Sequence, residues 1–159
     1  MDPVDASFFR DAPVRHEFVA DFGVAPAELW QSLASDESVS AWGPGVEKIR
    51  WTSSRPFGAG TTRDVTLALK SVTVREQFFR WDEGSGYSFF ATASNRPGLR
   101  RLAEDYVVSE TPTGSRLTWT VALEPSRKLA RATPALSPLV RVIFGRLVSD
   151  AKRYFARRS

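Results

Sequence analysis

Residues 138–158 read PLVRVIFGRLVSDAKRYFARR. From Leu139, apolar residues recur at Val140, Ile143, Phe144, Leu147, Val148, Ala151 and Phe155, offsets of three and four that form one stripe of an α-helix. Arg141, Arg146, Asp150, Lys152, Arg153 and Arg157 fall mostly elsewhere on the wheel. Pro138 suits a first turn, where a missing amide costs nothing, and the basic residues near Arg158 suit the negative end of the helix dipole. The spacing therefore predicts a long helix over 138–158. One greasy stripe of that length needs a broad partner surface.

The preceding chain supplies one. From Val14 to Phe22, apolar and polar residues alternate as in a strand, and Gly23 ends the run. Pro26 opens a short helix, PAELWQSLAS, with Ala27, Trp30 and Leu33 or Ala34 on one side. Asp36 is the expected N-cap of a second, DESVSAW, stopped by Gly43-Pro44-Gly45. Six strands are then expected over 46–53, 61–69, 72–81, 87–94, 102–110 and 116–123. Turn residues such as Asp82-Glu83-Gly84-Ser85-Gly86 and Pro112-Thr113-Gly114 separate them, implying an antiparallel meander. The class is α+β: seven strands wrapped around a terminal helix, with two short helices plugging one end. Residues 1–13 form a loose lead-in, with Phe8 and Phe9 placed to tuck under the sheet, and 14–159 form one domain.

Composition narrows the chemistry. The 159 residues include no cysteine and one histidine, so disulfides, thiolate chemistry and a cysteine-ligated zinc are excluded. His16 has no serine partner at a suggestive position, so a serine–histidine–aspartate site has little support. Neither a metal nor a cofactor is expected. The acidic opening, MDPVDASFFRDAP, does not resemble a signal peptide, and no apolar run reaches the roughly 18 residues of a spanning helix. A cytoplasmic protein without integral membrane association is expected, as a monomer or a dimer. The net charge of +4 comes with no nucleic-acid-binding signature, so no nucleic-acid partner is expected.

The pattern resembles the START-like helix-grip superfamily. It is particularly similar to the small SRPBCC proteins known as polyketide cyclase/dehydratase-like. The likeness is carried by PAELWQSLAS, WGPGVEKIRW, RPFGAGTTR, VTVREQFFRW and RLTWTVALEP, and spans about residues 14–158. It implies an apolar cavity between sheet and helix, holding a lipid, polyketide or aromatic metabolite. In the family arrangement Trp42 would sit at the cavity mouth. The superfamily also contains cyclases that steer substrates with pocket Arg, Tyr, His or Glu groups. Here Arg63, Glu76 and Tyr106 would be the cast.

Side-chain parity gives an independent view of that cavity. A hairpin with its tip near Leu69-Lys70 pairs Leu67 with Val72, Val65 with Val74, and Arg63 with Glu76, all on one face. Phe78 shares that face unless a bulge intervenes. A turn at Pro112-Thr113 pairs Val108 with Leu117, Tyr106 with Trp119, and Glu104 with Val121. Tyr87, Phe89, Ala91 and Ala93 fall together, the alanines leaving room. Adding Phe57 in the glycine-bounded 55–60 loop, and Val140, Phe144 and Val148 from the helix, completes the candidate ligand-contacting set. Entry is expected beside Trp42 and that loop. The loop reads equally as a gate or as a tight connection, and the Arg63–Glu76 pair as a structural ion pair or a ligand-orienting one.

Overall fold

A computed structural model of the chain describes residues 1–67 and 72–158. Strands β1 (Val14–Phe22), β2 (Val46–Trp51), β3 (Thr62–Leu67), β4 (Thr73–Asp82), β5 (Gly86–Ser94), β6 (Leu99–Thr111) and β7 (Gly114–Pro125) build one antiparallel sheet in the order β1-β7-β6-β5-β4-β3-β2. The expected tip at Leu69-Lys70 lies outside the described residues. Register follows parity as expected: Val65 faces Val74, Arg63 faces Glu76, Tyr106 faces Trp119, and Glu104 faces Val121.

Two bulges modify the expected faces. On β4 the pairing shifts between Phe78 and Arg80, so Phe79 is the extra residue and Phe78 and Trp81 both stay inside. On β5 it shifts between Ala91 and Ala93, with Thr92 extra. Ala93 therefore pairs with Arg75 and points to solvent, correcting the expectation that it shares the inner face with Ala91.

Helix α1 (Phe8–Asp11) makes the lead-in anything but loose. Phe8 is buried with Phe90, Ala103 and Ala122 on the outer face of the sheet. Helix α2 (Pro26–Ala34) starts at its proline and buries Leu29, Trp30 and Leu33, so Leu29 takes the role expected of Ala27. The second short helix is a single 3₁₀ turn, Ser38–Ala41, and Asp36 does not cap it. Instead Asp36 accepts a hydrogen bond from Arg55 at 2.9 Å. The turn is held at Ser38, whose φ of 46° is left-handed.

Helix α3 (Thr133–Ala156) begins earlier than the sequence suggests, after a 3₁₀ segment at Arg127–Ala132, and Pro138 lies inside it. A proline in the second turn forfeits only the bond to the carbonyl of Pro134, an exposed residue whose carbonyl water can reach. The single stripe is also corrected. Val140, Ala151 and Phe155 are buried, Phe144, Leu147 and Val148 half-buried, and Leu139 and Ile143 exposed. Among the sheet strands α3 rests chiefly on β1, so its N-terminal half stands off the strands beyond.

At Gly86 the backbone leaves no room for a side chain. A Cβ there would lie 2.3 Å from the carbonyl oxygen of Tyr106 across the β5–β6 ladder, whereas one at Gly58 would meet nothing within 4 Å. Gly86→Ala should lower Tm by on the order of 5–10 °C, while Gly58→Ala changes it by about 1 °C or less, as scanning calorimetry of the two variants will measure.

Candidate functional site

Between residues 136–150 of α3 and strands β3–β7 lies a cavity of about 690 Å³. Its walls are aliphatic and aromatic: Val65, Val72, Val74, Phe89, Leu102, Trp119, Leu123, Val140, Phe144 and Leu147 all contribute. Its rim is formed by Pro44 and Gly45, by Arg96–Gly98, and by Leu129, Ile143 and Arg146.

The polar groups come from β3, β4 and β6. Arg63 is 1 % exposed and donates from Nε to Glu76 Oε2 at 2.6 Å and from Nη1 to Ser38 Oγ at 3.2 Å. Ser38 in turn donates to the carbonyl of Leu33 at 2.7 Å, tying the guanidinium to the end of α2. Four rings surround the cation, those of Phe89, Phe78, Trp51 and Tyr87, with its Cζ 4.8, 5.0, 5.1 and 5.8 Å from their centroids. Burial opposes the charge on Arg63, but Glu76, Tyr87 and Tyr106 outweigh it and its pKa is raised. Burial pushes the Glu76 carboxyl up against the pull of Arg63.

Glu104 is the second buried carboxyl. Its Oε2 accepts from Tyr106 Oη at 2.8 Å and from Trp119 Nε1 at 2.9 Å. Burial, together with the neighbouring Glu76, pushes it up to about 7, against the pull of those two hydrogen bonds and of Arg63. Burial and the adjacent Glu104 raise Tyr106 as well. One cation thus stands among two carboxyls, and one of the two can hold a proton near neutrality.

Of the residues the sequence singles out, Arg63, Val65, Val74, Glu76, Phe89, Glu104, Tyr106, Trp119, Val140 and Phe144 line the cavity. Trp42, Phe57, Phe78, Ala91 and Val148 do not. Trp42 is buried edge-on against Trp119 and sits behind the wall rather than at a mouth. Phe57 stacks on Trp51 at 4.2 Å and lines a separate groove with Arg55, Pro56 and Trp81, so the 55–60 loop does not border this cavity. The rim lies instead along α3 and the β5–β6 turn. Phe78 and Ala91 are packed beneath Arg63 and Glu76, and Val148 faces the core beside β1. The half-buried Leu136 and Leu147 are further lining residues, and Ser38 joins the polar network through Arg63. No local pattern marks Ser38, because its partners are five and 25 residues away. His16 is half-buried and its Nε2 meets Ser137 Oγ at 3.0 Å, the satisfied histidine that its strand position implies.

Comparison with known proteins agrees with this fold. The family model described as "Polyketide cyclase / dehydrase and lipid transport" matches residues 14–156. An uncharacterized protein of Mycobacterium tuberculosis is 34 % identical over 155 residues, covering 95 % of this chain and 90 % of its own. Among solved structures, the protein XoxI from Bacillus cereus superposes with a TM-score of 0.73 at 14 % identity, over 90 % of this chain and 96 % of its own. The di-domain ARO/CYC StfQ from the steffimycin biosynthetic pathway gives 0.73 at 14 % identity, with 94 % of this chain matched to 53 % of that one. Those two likenesses concern the helix-grip fold alone. With nearly its whole length matched, the chain belongs to the polyketide cyclase / dehydrase and lipid transport family.

Proposed function

We propose that the protein binds a small, mostly apolar molecule whose inner end is a neutral hydroxyl or carbonyl. The observation that carries this reading is the state of Arg63. The buried cation is already engaged by Glu76, Ser38 and four ring faces, and a second carboxyl, Glu104, stands nearby. A buried anion would find its natural partner occupied and two carboxyls facing it, an arrangement that costs several kcal/mol in a low-dielectric site. A neutral carbonyl can instead accept a hydrogen bond from protonated Glu104. A guest burying roughly 300 Å² of apolar surface gains about 7 kcal/mol at about 25 cal/mol per Å², before ordering costs.

Matched probes test this. At pH 8, 2-naphthol should bind at least about tenfold more tightly than 2-naphthoate, a difference of about 1.4 kcal/mol. The measurement is quenching of tryptophan fluorescence, since Trp119 lies in the cavity wall. Equal or tighter binding of the naphthoate would refute the neutral inner end. Binding of neither probe would remove the container reading itself.

A second reading, cyclase or dehydratase activity, is favoured by one observation: a carboxyl titrating near 7 and hydrogen-bonded to a tyrosine inside an apolar pocket suits proton transfer. On that reading Glu104 and Tyr106 would move protons on a poly-β-ketone, and Arg63 and Glu76 would position it. Glu104→Gln should then slow turnover by about 10²-fold or more. An unchanged rate in that variant, as in Glu76→Gln or Arg63→Ala, would discard the activity.

The state of Glu104 also predicts how stability varies with pH. Its carboxyl titrates at about 7 in the folded chain against 4.5 ordinarily, so between those values the folded chain keeps a proton that the unfolded chain has lost. Stability from this group is fully present below pH 4.5, falls as pH rises, and levels off above 7. Urea unfolding of wild type and Glu104→Gln should therefore diverge across that window. The variant should gain on the order of 3 kcal/mol relative to wild type by pH 8.

A further inference from the structure

The side of α3 turned away from the sheet is not the solvated polar surface that its arginines suggest. Leu139, Val142 and Ile143 on α3, and Leu129 just before it, are 47 to 54 % exposed. Residues 139, 142, 143 and 146 lie at offsets of three, four and seven, so they share one side of the helix. Among the described residues, only Val19 and Val107 are comparably exposed large hydrophobics elsewhere.

The charge along this stretch of sequence is of one sign, and the first acid beyond it, Asp150, is paired with Arg153. From Ser126 to Ser149 the chain carries Arg127, Lys128, Arg131, Arg141 and Arg146 and no acidic residue. All five are exposed, and none forms an ion pair with a described residue. On the sheet, by contrast, arginines are neutralised on the spot: Arg50 and Arg75 by Asp64, Arg80 by Asp105, Arg101 by Glu124, and Arg116 by Asp21. Leu129, Ile143 and Arg146 also form part of the cavity rim, so the patch surrounds the way in.

We propose that this patch docks reversibly on an anionic lipid bilayer and turns the cavity mouth toward it. Aliphatic side chains flanked by basic ones are the signature of a helix that lies in a membrane interface. The competing occupants fit less well. A symmetric pair of copies would set the same unneutralised basic patch against itself. A nucleic acid would find charge for its phosphates but aliphatic side chains where base-stacking rings or base-edge hydrogen-bonding groups are needed. Docking here does not depend on what the cavity holds, so it stands or falls apart from the binding reading.

The test is co-sedimentation of the full chain with vesicles of phosphatidylcholine alone or containing about 30 % phosphatidylglycerol, at about 0.1 and 0.5 M salt. Binding to the anionic vesicles should exceed binding to the neutral ones by at least about tenfold, and should fall with salt. Two double variants probe the two halves of the patch without touching the cavity lining: Leu139→Ser with Val142→Ser, and Lys128→Glu with Arg131→Glu. Each should weaken vesicle binding by about tenfold or more while leaving Tm and 2-naphthol binding as in wild type. Equal binding to both vesicle types, binding to neither, or wild-type binding by either double variant would overturn the proposal.

Discussion

The bond between Arg63 and Glu76 is the constraint that the rest of the structure accommodates. A guanidinium and a carboxylate taken out of water lose several kcal/mol of hydration each, and recover it only with close geometry and further polar or aromatic partners. The chain supplies these from four directions: Glu76 from the neighbouring strand, Ser38 from the 3₁₀ turn, Phe78 and Phe89 from the floor, and Trp51 with Tyr87 from the flanks. Once so many groups are committed to a single cation, the space above it cannot be filled by another large side chain without displacing one of them. Phe144 and Val140 from the helix approach only as far as the opposite wall.

The second carboxyl changes the character of that space. Glu104 takes no salt bridge among the described residues and is held by a phenol and an indole, both neutral donors. A protonated acid in such a setting is compatible with its neighbours, whereas an ionised one repels Glu76. The polar end therefore offers directional hydrogen bonding with little net field. On the reading proposed above, that setting would favour neutral oxygen functions over charged ones, whether a guest is merely held or undergoes proton transfer.

Much of this was legible in the sequence because sheet parity is a strict rule. Arg63 opposite Glu76, Tyr106 opposite Trp119, and the inward set on β6 and β7 follow from turn positions alone. What was not legible depends on contacts remote in sequence. The extra residue at Thr92 sends Ala93 outward, and nothing local announces it. The start of α3 at Thr133 was hidden because a proline tolerated in a second turn reads the same as one in a first. The helical wheel of α3 carries apolar residues on both sides, and only the placement of β1 decides which of them face the core. The emptiness of the pocket likewise stems from the stand-off of the helix rather than from small side chains, since Ala91 is buried beneath Glu76 and touches no free space.

Ser38 links this interior to the surface. Its hydroxyl bridges the last turn of α2 and the guanidinium of Arg63, on a backbone held at a left-handed φ that residues other than glycine seldom adopt. The 3₁₀ turn that follows leads within a few residues to Pro44 and Gly45 at the cavity rim. Any displacement of the Arg63 guanidinium therefore passes through one hydroxyl to a backbone joint with little freedom to relax, just ahead of the segment that edges the cavity.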